Sequence, residues 1–168
     1  MREIPLHGKY GEGKFAKVDD EDYERLSKHR WHVDNCGYVR CHESKKVNPC
    51  RPVLLMHRLV MKNAIKEGHM IDHINGDKLD NRKENLRICT NQQNMCNRGK
   101  LIHKKEGSRH SMYKGVRGYG KRGKWVARIS IDGKVKHIGV YETEEEAAKA
   151  YNAEAIRIQG CFAKLNVV

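Results

Sequence analysis

The stretch MIDHINGDKLDNRKENLRICTNQQN, residues 70–94, concentrates side chains that could do chemistry. Asp72 and His73 stand side by side near its start, and Asn85 and Asn94 follow. Carboxylate and amide oxygens bind hard divalent cations, and an imidazole can exchange a proton near neutral pH. A solvated polar surface loop would have a similar composition. The choice between the two depends on the elements that carry these residues.

The segment around Asp72 and His73 predicts two strands joined by a loop. NGD, directly downstream, predicts a tight turn that reverses the chain after His73. LRICT predicts the returning strand.

A helix is predicted to follow the returning strand. Thr90 is followed three residues later by Gln93, and this T-x-x-Q pattern is typical of a capping box at a helix start. Asn94 would then lie in the first turns of that helix, close enough to the preceding strand end to share a metal ion with Asp72. The predicted order is strand, loop, strand, helix.

This order and spacing resemble the HNH endonuclease family with its ββα-metal fold, particularly the phage and intron homing branch whose third motif residue is asparagine. The resemblance covers residues 57–99 and includes MHRLV ahead of IDHINGDKLDNRKENLRICTNQQN. It implies that His73 is the general base. It also implies that Asp72 and Asn94 bind a divalent cation, and that Asn85 holds the loop and orients His73.

The last motif residue departs from the family name, because Asn94 stands in place of the second histidine. A neutral amide oxygen is a weaker ligand than imidazole for soft metals, so we expect Mg²⁺ or Mn²⁺ rather than zinc. His73 can act as the base because an unperturbed imidazole has a pKa of about 6.5. The resemblance implies hydrolysis of phosphodiester bonds to 5′-phosphate and 3′-hydroxyl products.

Several residues near the motif keep alternative interpretations. His57 is predicted to lie in an apolar strand, as a hydrogen-bonded structural histidine rather than a ligand. Asn81, Arg82 and Arg87 could each brace the loop or contact phosphate. A zinc site is a further alternative, and its ligands would be Cys36, Cys41 and Cys50 with His32 or His42.

The charge balance indicates a polyanionic partner. The chain has 34 Lys and Arg against 21 Asp and Glu, a net charge of +13, which favours double-stranded DNA over an anionic membrane surface. No stretch predicts a signal peptide or a spanning helix. We therefore expect a soluble, cytoplasmic protein with free thiols, encoded by a phage or a bacterium.

The C-terminal part predicts three strands followed by one helix. Asp132-Gly133 is a hairpin signal, Thr143 with Glu146 forms a capping box, and Gly160 suits the helix C-terminus. Alternation along KWVARISI puts Trp125 and its apolar neighbours on the face that the helix covers. Lys124, Val126, Arg128 and Ser130 take the open face.

YKGVRG, GKWVARI, HIGVYETEEEAAKAYNAEAIRIQG and AKLNV resemble, in that order, the plant ethylene-response-factor type of DNA-binding domain. The resemblance covers residues 110–167, and the turn GYGKRGK departs from it in length. In that family a three-stranded sheet lies in the major groove. With Lys124 on the same open face, the DNA contacts implied here are Lys114, Arg117, Lys124, Arg128, Lys136 and His137.

Taken together, the sequence predicts an α+β protein: a ββα-metal nuclease module plus a three-stranded antiparallel sheet packed on one helix. The predicted activity is site-specific DNA cleavage of the homing type. A monomer is expected to nick one strand, and a double-strand break would need a dimer or a second binding event. The alternative is a DNA-binding regulator with a vestigial nuclease motif. The predicted parts are a supporting N-terminal region at 1–56, the nuclease module at 57–99, a basic linker at 100–109 and the DNA-binding domain at 110–168.

Overall fold

The computed structural model describes two compact units, Met1–Asn91 and Gln92–Val168. The predicted linker at 100–109 lies outside the described residues. Among the residues that are described, no helix is both long and apolar enough to cross a membrane. The described residues are 1–42, 52–99, 111–120 and 123–168.

The first unit is built from short antiparallel pairings. Its elements are β1 Arg2–Pro5, β2 Phe15–Val18, α1 Asp20–Leu26, β3 His32–Val33, β4 Val39–His42, β5 Val53–Leu55, α2 Met56–Val60, β6 Met70–His73 and β7 Leu86–Cys89. The sheets are β1-β2, β3-β4-β5 and β6-β7, and a 3-10 turn at Lys83–Asn85 precedes β7. Helix α3, Asn91–Asn97, starts at the boundary between the units.

One hydrophobic core joins the N-terminal region to the segment that carries the motif. Trp31 is fully buried, and its indole nitrogen donates to the Leu26 carbonyl at 2.8 Å. Ile4 from β1 belongs to the same core as Ile71 from β6 and Leu86 from β7. The described part of the N-terminal region therefore shares its core with the predicted nuclease segment.

Local sequence signals located the elements that follow the motif loop. LRIC forms β7, and α3 begins directly after Thr90, as predicted. The placement of His57 in an apolar strand was wrong. RPVLLMHRLVM holds the short strand β5 followed directly by α2, and His57 lies in the first turn of that helix. A run of apolar residues this short does not distinguish a buried strand from a buried helix.

The second unit packs a helix on an antiparallel sheet. Its elements are β8 Val116–Tyr119, β9 Lys124–Ile131, β10 Lys134–Tyr141 and α4 Glu144–Gln159, and the strand order is β10-β9-β8. Trp125 packs against the cluster of buried residues that includes Ala127 and Ile129 of β9 and Ala147 of α4. This agrees with the face predicted for Trp125, and the mixture of helices and small antiparallel sheets agrees with the predicted α+β class.

The turn signals of the second unit are confirmed. Asp132 and Gly133 have φ values of 50° and 75°, as a two-residue hairpin turn with two left-handed residues requires. Thr143 accepts a hydrogen bond from the Glu146 backbone, and the Glu146 side chain accepts one from the Thr143 backbone. This reciprocal cap satisfies backbone donors that the first turn of α4 leaves unpaired.

Gly115, in the YKGVRG motif, allows β8 and β9 to pack closely against α4. Its φ is +75°, and a Cβ there would lie 2.1 Å from Cδ2 of Tyr151 and 2.6 Å from the Arg128 carbonyl oxygen. Tyr151 is buried in the core of this unit. Any side chain at position 115 would therefore displace the Tyr151 ring.

We expect Gly115→Ala to destabilise the second unit much more than Gly133→Ala. Both glycines have a φ of +75°, but no atom lies within 4 Å of the Cβ position at Gly133. The pair therefore shares the backbone strain and differs in the steric overlap, which should add about 1–3 kcal/mol or more to the loss of unfolding free energy. Urea titration followed by the amide cross-peaks of β9 measures the difference. Equal losses would contradict this packing argument.

Candidate functional site

The pairing of β6 with β7 brings Asp72 and His73 to the end of a hairpin. The strands are antiparallel, with Asp72 opposite Arg87 and His73 opposite Leu86. Asp72 is 8% exposed and His73 is 4% exposed. Two ionisable groups at adjacent positions are therefore withdrawn from solvent, which is unusual unless each has a polar partner.

Asp72 is held by Arg87. The guanidinium donates from Nε at 3.0 Å and from Nη2 at 2.8 Å, both to Oδ2 of the carboxylate. The two side chains are 9% and 13% exposed, so water screens this ion pair little. Arg87 thus fixes the carboxylate that is the predicted metal ligand. The sequence left Arg87 as either a loop brace or a phosphate contact. The ion pair that the structure describes for Arg87 is with Asp72.

His73 has the protonation state that a general base requires. Burial is the largest cause acting on the imidazole and lowers its pKa below 6.5, while a hydrogen bond with Asn81 opposes that shift. The ring is therefore neutral at physiological pH. Asn81 Nδ2 donates to the carbonyl oxygens of Lys78 and Leu79, both at 3.2 Å, which leaves Oδ1 facing Nε2 of His73 at 3.5 Å. This arrangement favours a proton on Nε2, and the lone pair then lies on Nδ1.

The loop between the two strands is fastened by Asn85. Its Oδ1 accepts from the backbone N–H of Asn75 at 3.0 Å, and its Nδ2 donates to the Asp80 carbonyl at 2.8 Å. The backbone N–H of Ile74 also donates to the Asn85 carbonyl at 2.9 Å. These bonds join the start of the loop to its end. Orientation of His73 was also expected of Asn85 and stays a prediction, and a described hydrogen bond of that ring is with Asn81.

Asp80 and Arg82 form a second brace inside the loop. Arg82 donates to Asp80 from Nε at 2.8 Å and from Nη2 at 2.7 Å, and it also pairs with Glu84. Arg82 is the main cause that lowers the pKa of Asp80. Asp80, Asn81 and Asn85 are 2%, 1% and 6% exposed. The interpretation of this segment as a solvated polar loop is therefore wrong, and Arg82 braces the loop.

Two further rings, those of His57 and Tyr38, lie close to the imidazole of His73. The ring centroid of His57 lies 5.3 Å from that of His73 in an edge-to-face arrangement, and Tyr38 lies 5.4 Å from His57 and 6.2 Å from His73. Lys78 Nζ lies 4.2 Å from the centre of the Tyr38 ring. His57 is 6% exposed, and burial lowers its pKa to about 4. Sequence reasoning missed Tyr38 because no local pattern connects it with the motif.

Asn94, the second predicted metal ligand, lies half-buried in α3. The helix starts directly after Thr90, as predicted, and Asn94 falls within its first turns. Its assignment as a ligand rests on the family resemblance. A carboxylate and an amide oxygen form a donor set that suits Mg²⁺ or Mn²⁺, so the residue types fit the predicted cation.

The cysteine-based zinc alternative has little support among the described residues. Cys41 is buried in the core of the first unit, Cys36 is exposed in a turn, and Cys50 lies outside the described residues. In the ranges that the structure describes, no three His, Cys, Asp or Glu side chains are grouped to hold a metal. The predicted Asp72–Asn94 pair, with one carboxylate and one amide, is not a group of this kind.

The sheet of the second unit carries part of the predicted DNA-contacting set on its open face. The register pairs Arg117 with Val126 and His137 with Arg128, so these side chains lie on the face away from α4. Lys124 shares that face and pairs with Glu142 at 2.7 Å, where both side chains are largely exposed. Within the described residues, Arg117 and Arg128 make no ion pair.

Lys136 and Lys114 are placed differently from the other predicted contacts. Lys136 lies opposite Ile129, on the helix side of the sheet, and its Nζ is 2.7 Å from Glu154 of α4. Arg157 and then Lys136 lower the pKa of Glu154 to about 2. The ammonium of Lys114 donates to the Cys96 carbonyl, and its pKa is lowered by burial. Neither lysine belongs to the open basic face.

Comparisons with known proteins identify the family of the segment that carries the motif. A family model described as HNH endonuclease matches residues 54–96. A protein of Acanthamoeba polyphaga mimivirus, named as an uncharacterised HNH endonuclease, is 31% identical over 158 residues. That alignment covers 94% of this chain and 78% of the viral protein.

Plant proteins match shorter stretches. Dehydration-responsive element-binding protein 1J of Oryza sativa subsp. japonica is 36% identical over 62 residues, 35% of this chain and 26% of the rice protein. The AP2-like ethylene-responsive transcription factor PLT2 of Arabidopsis thaliana is 43% identical over 58 residues, 33% of this chain and 10% of the plant protein. Because these matches are partial, they support a C-terminal domain of this type only weakly.

We expect the stability of the first unit to depend on His57 between pH 6.5 and pH 4. The folded pKa of about 4 lies below the ordinary value of 6.5, so the unfolded chain binds more protons in that window. The free energy of unfolding should therefore fall as the pH drops through the window. Its slope against pH should be smaller in His57→Gln, by the equivalent of up to about one bound proton. Urea unfolding at a series of pH values measures this slope. The exposed His69 is the control, and a His69→Gln slope as shallow as that of His57→Gln would contradict the assignment.

Proposed function

Because the chain belongs to the HNH endonuclease family, we propose that it is a site-specific DNA endonuclease of the homing type, in which His73 is the general base. One observation carries the proposal: a buried, neutral histidine directly follows a carboxylate held by an arginine, at the end of the strand that carries the family motif. This pair supplies a proton acceptor beside an anionic oxygen ligand, as metal-assisted hydrolysis requires.

In the proposed reaction His73 removes a proton from the attacking water. Nδ1 accepts the proton, while Asn81 Oδ1 holds the proton on Nε2 and so stabilises the imidazolium that forms. The hydroxide attacks phosphorus as the bond to the 3′ oxygen breaks, and that oxygen takes a proton from water. The products therefore carry a 5′-phosphate and a 3′-hydroxyl. Asn85 keeps the loop closed so that Asn81 stays beside the ring.

The proposed cofactor is Mg²⁺ or Mn²⁺, held by Asp72 and Asn94. When bound, such a cation supplies positive charge at the scissile phosphate and the leaving oxygen. Arg87 supports this role because it fixes the Asp72 carboxylate through Oδ2. One active site cuts one strand, so a monomer should nick and a double-strand break should need a dimer or a second binding event.

The proposed DNA reader is the open face of the three-stranded sheet in the second unit. Arg117, Lys124, Arg128 and His137 supply this face. We leave out Lys136 because it lies on the helix side of the sheet, and Lys114 because its ammonium donates to the Cys96 carbonyl and does not belong to this face. Arginine can pair with guanine through two hydrogen bonds, and lysine neutralises phosphate. A nuclease site and a reader on one chain raise each other's effective concentration at the target. The proposed domain limits remain 57–99 for the nuclease module and 110–168 for the reader, with residues 1–56 as support.

We expect His73→Ala to slow cleavage by about 10²–10⁴-fold while DNA binding stays near the wild-type level, because the variant removes the proton acceptor. Single-turnover plasmid nicking with Mg²⁺ gives the rate, and a gel-shift titration gives the affinity. His69→Ala is the matched control, since His69 is an exposed histidine just before β6. Chelation of the divalent cation should also abolish nicking.

Nicking at the wild-type rate by His73→Ala would contradict the assignment of the base. Specific DNA binding without any nicking by the wild-type protein would favour the regulator with a vestigial nuclease motif.

We expect Arg128→Ala to lower the preference for the target over scrambled duplex by about 1–3 kcal/mol if its guanidinium reads a base edge. Lys124→Ala should instead flatten the dependence of log affinity on log salt by about 0.9, the effect of one lost phosphate contact. Competition binding at fixed salt and titrations at several salt concentrations measure the two effects. Lys149→Ala, on the exposed side of α4, is the control. A loss of preference in Lys149→Ala equal to that in Arg128→Ala would contradict the assignment of the sheet face.

A further inference from the structure

The N-terminal strand β2 is bonded directly to the loop that carries Asn81. The backbone N–H of Lys17 donates to the Leu79 carbonyl at 2.8 Å, and the backbone N–H of Asn81 donates to the Lys17 carbonyl at 2.8 Å. Lys17 and Asp80 form a parallel bridge. The loop therefore continues the β1-β2 sheet by one short segment on its free edge.

The start of α1 holds the next part of the loop. Oδ2 of Asp19 accepts from the backbone N–H of Lys83 at 2.8 Å. The ammonium of Lys83 pairs with Glu21 and lies 3.5 Å from Asp22. Strand β2 and the residue before α1 thus bond to the loop at three alternate residues, Leu79, Asn81 and Lys83.

Strand β2 is itself firmly placed. The side chains of Ala16 and Val18 are fully buried in the core of the first unit, and β2 pairs with β1 along its other edge. The backbone N–H and the backbone carbonyl of Lys17 both bond to the loop. Glu3 and Lys17 are therefore a non-hydrogen-bonded pair of the β1-β2 ladder. The bonds from Lys17 to the loop can therefore be removed without loss of a bond between β1 and β2.

We propose that β2 and Asp19 form a positioning clamp that holds Asn81 against His73. The clamp is defined as the backbone of Lys17 with the side chain of Asp19. It lies outside residues 54–96, the part that matches the family model, so the chain supplies from its N-terminal region a support for a residue of the motif loop. Asn81 is 1% exposed and its amide orientation is set by two carbonyls, so any shift of its backbone moves Oδ1 relative to the imidazole.

The clamp rests on the proposed function, because its catalytic effect depends on His73 as the base. Lys17 and Asn81 are positioning residues, since they act on the reaction through His73. A base must keep both its ring orientation and its tautomer in the bound state, and a misplacement of about 1 Å can cost about 10²-fold in rate. The clamp also sets which ring nitrogen of His73 carries the proton, and this can be measured without DNA.

The test compares Lys17→Pro with Lys17→Ala in the full chain. Both variants lose the lysine side chain, but only proline lacks the N–H that donates to Leu79. Long-range proton–nitrogen spectra at mildly alkaline pH, where imidazoles are neutral, report which nitrogen of each histidine carries the proton. Comparison with a His73→Gln spectrum assigns the His73 signals. Single-turnover nicking and gel shifts on one target give the cleavage rate and the affinity.

We expect His73 to carry its proton on Nε2 in Lys17→Ala and to be a mixture of tautomers in Lys17→Pro. Cleavage by Lys17→Pro should be slower than by Lys17→Ala, between about 10- and 100-fold, with equal DNA affinity. The same tautomer and the same rate in both variants would overturn the clamp. A slower Lys17→Pro whose tautomer is unchanged would also overturn it, because the loss would then come from elsewhere.

Substitution of Asn81 provides a second approach that does not depend on proline. Asn81→Ala removes the acceptor and should give the mixed tautomer, whereas Asn81→Asp keeps an oxygen beside the ring and should restore Nε2–H. An Nε2–H tautomer in Asn81→Ala would overturn the clamp. Wild-type nicking by His73→Ala would instead overturn the proposed function, and the tautomer comparison distinguishes that failure from a failure of the clamp.

Discussion

The antiparallel pairing of Met70–His73 with Leu86–Cys89 is the constraint on which the candidate site depends, because its register puts Asp72 opposite Arg87. A slip by one residue would turn every side chain of the strand to the other face. Asp72 would then be a buried carboxylate without its guanidinium, and an uncompensated buried charge costs about 3–5 kcal/mol. The ion pair therefore selects the register, and the register in turn places His73.

Polar side chains hold the loop between these strands. Asp80, Asn81 and Asn85 are nearly inaccessible to solvent, and each bonds to backbone or side-chain groups of the loop. Buried polar groups are costly unless they are satisfied, so this network favours a single conformation of the loop. His73 is joined to this network through Asn81, and His57 lies against its ring. Both imidazoles are neutral because burial penalises their charged forms.

The second unit is organised by a different constraint, the close approach of sheet and helix. The contact between the sheet and α4 is made close by residues with little or no side chain: Gly115 before β8, and Ala147 and Ala148 of α4. The reciprocal cap at Thr143 sets where the helix begins. Packing of the apolar face against α4 leaves Arg117 and Arg128 on the opposite face. A basic face of this kind attracts DNA through its phosphates, which agrees with the proposed reader.

The sequence by itself determined those features that depend on neighbouring residues. Strand β7, the Asp132-Gly133 hairpin, the Thr143 cap and the inward face of Trp125 were all predicted, because turn chemistry, capping and alternation are local. The alternation in KVKHIGVY could also have separated Lys136 from His137, although the bulge after His137 interrupts it. Tertiary structure alone decided that Tyr38 and His57 enclose His73, that Asn81 contacts its ring, and that Lys17 holds the loop. Apart from the Asn81–His73 contact, which spans eight positions, these contacts join residues far apart in the chain. They depend on the shared core of the first unit, which local patterns do not specify.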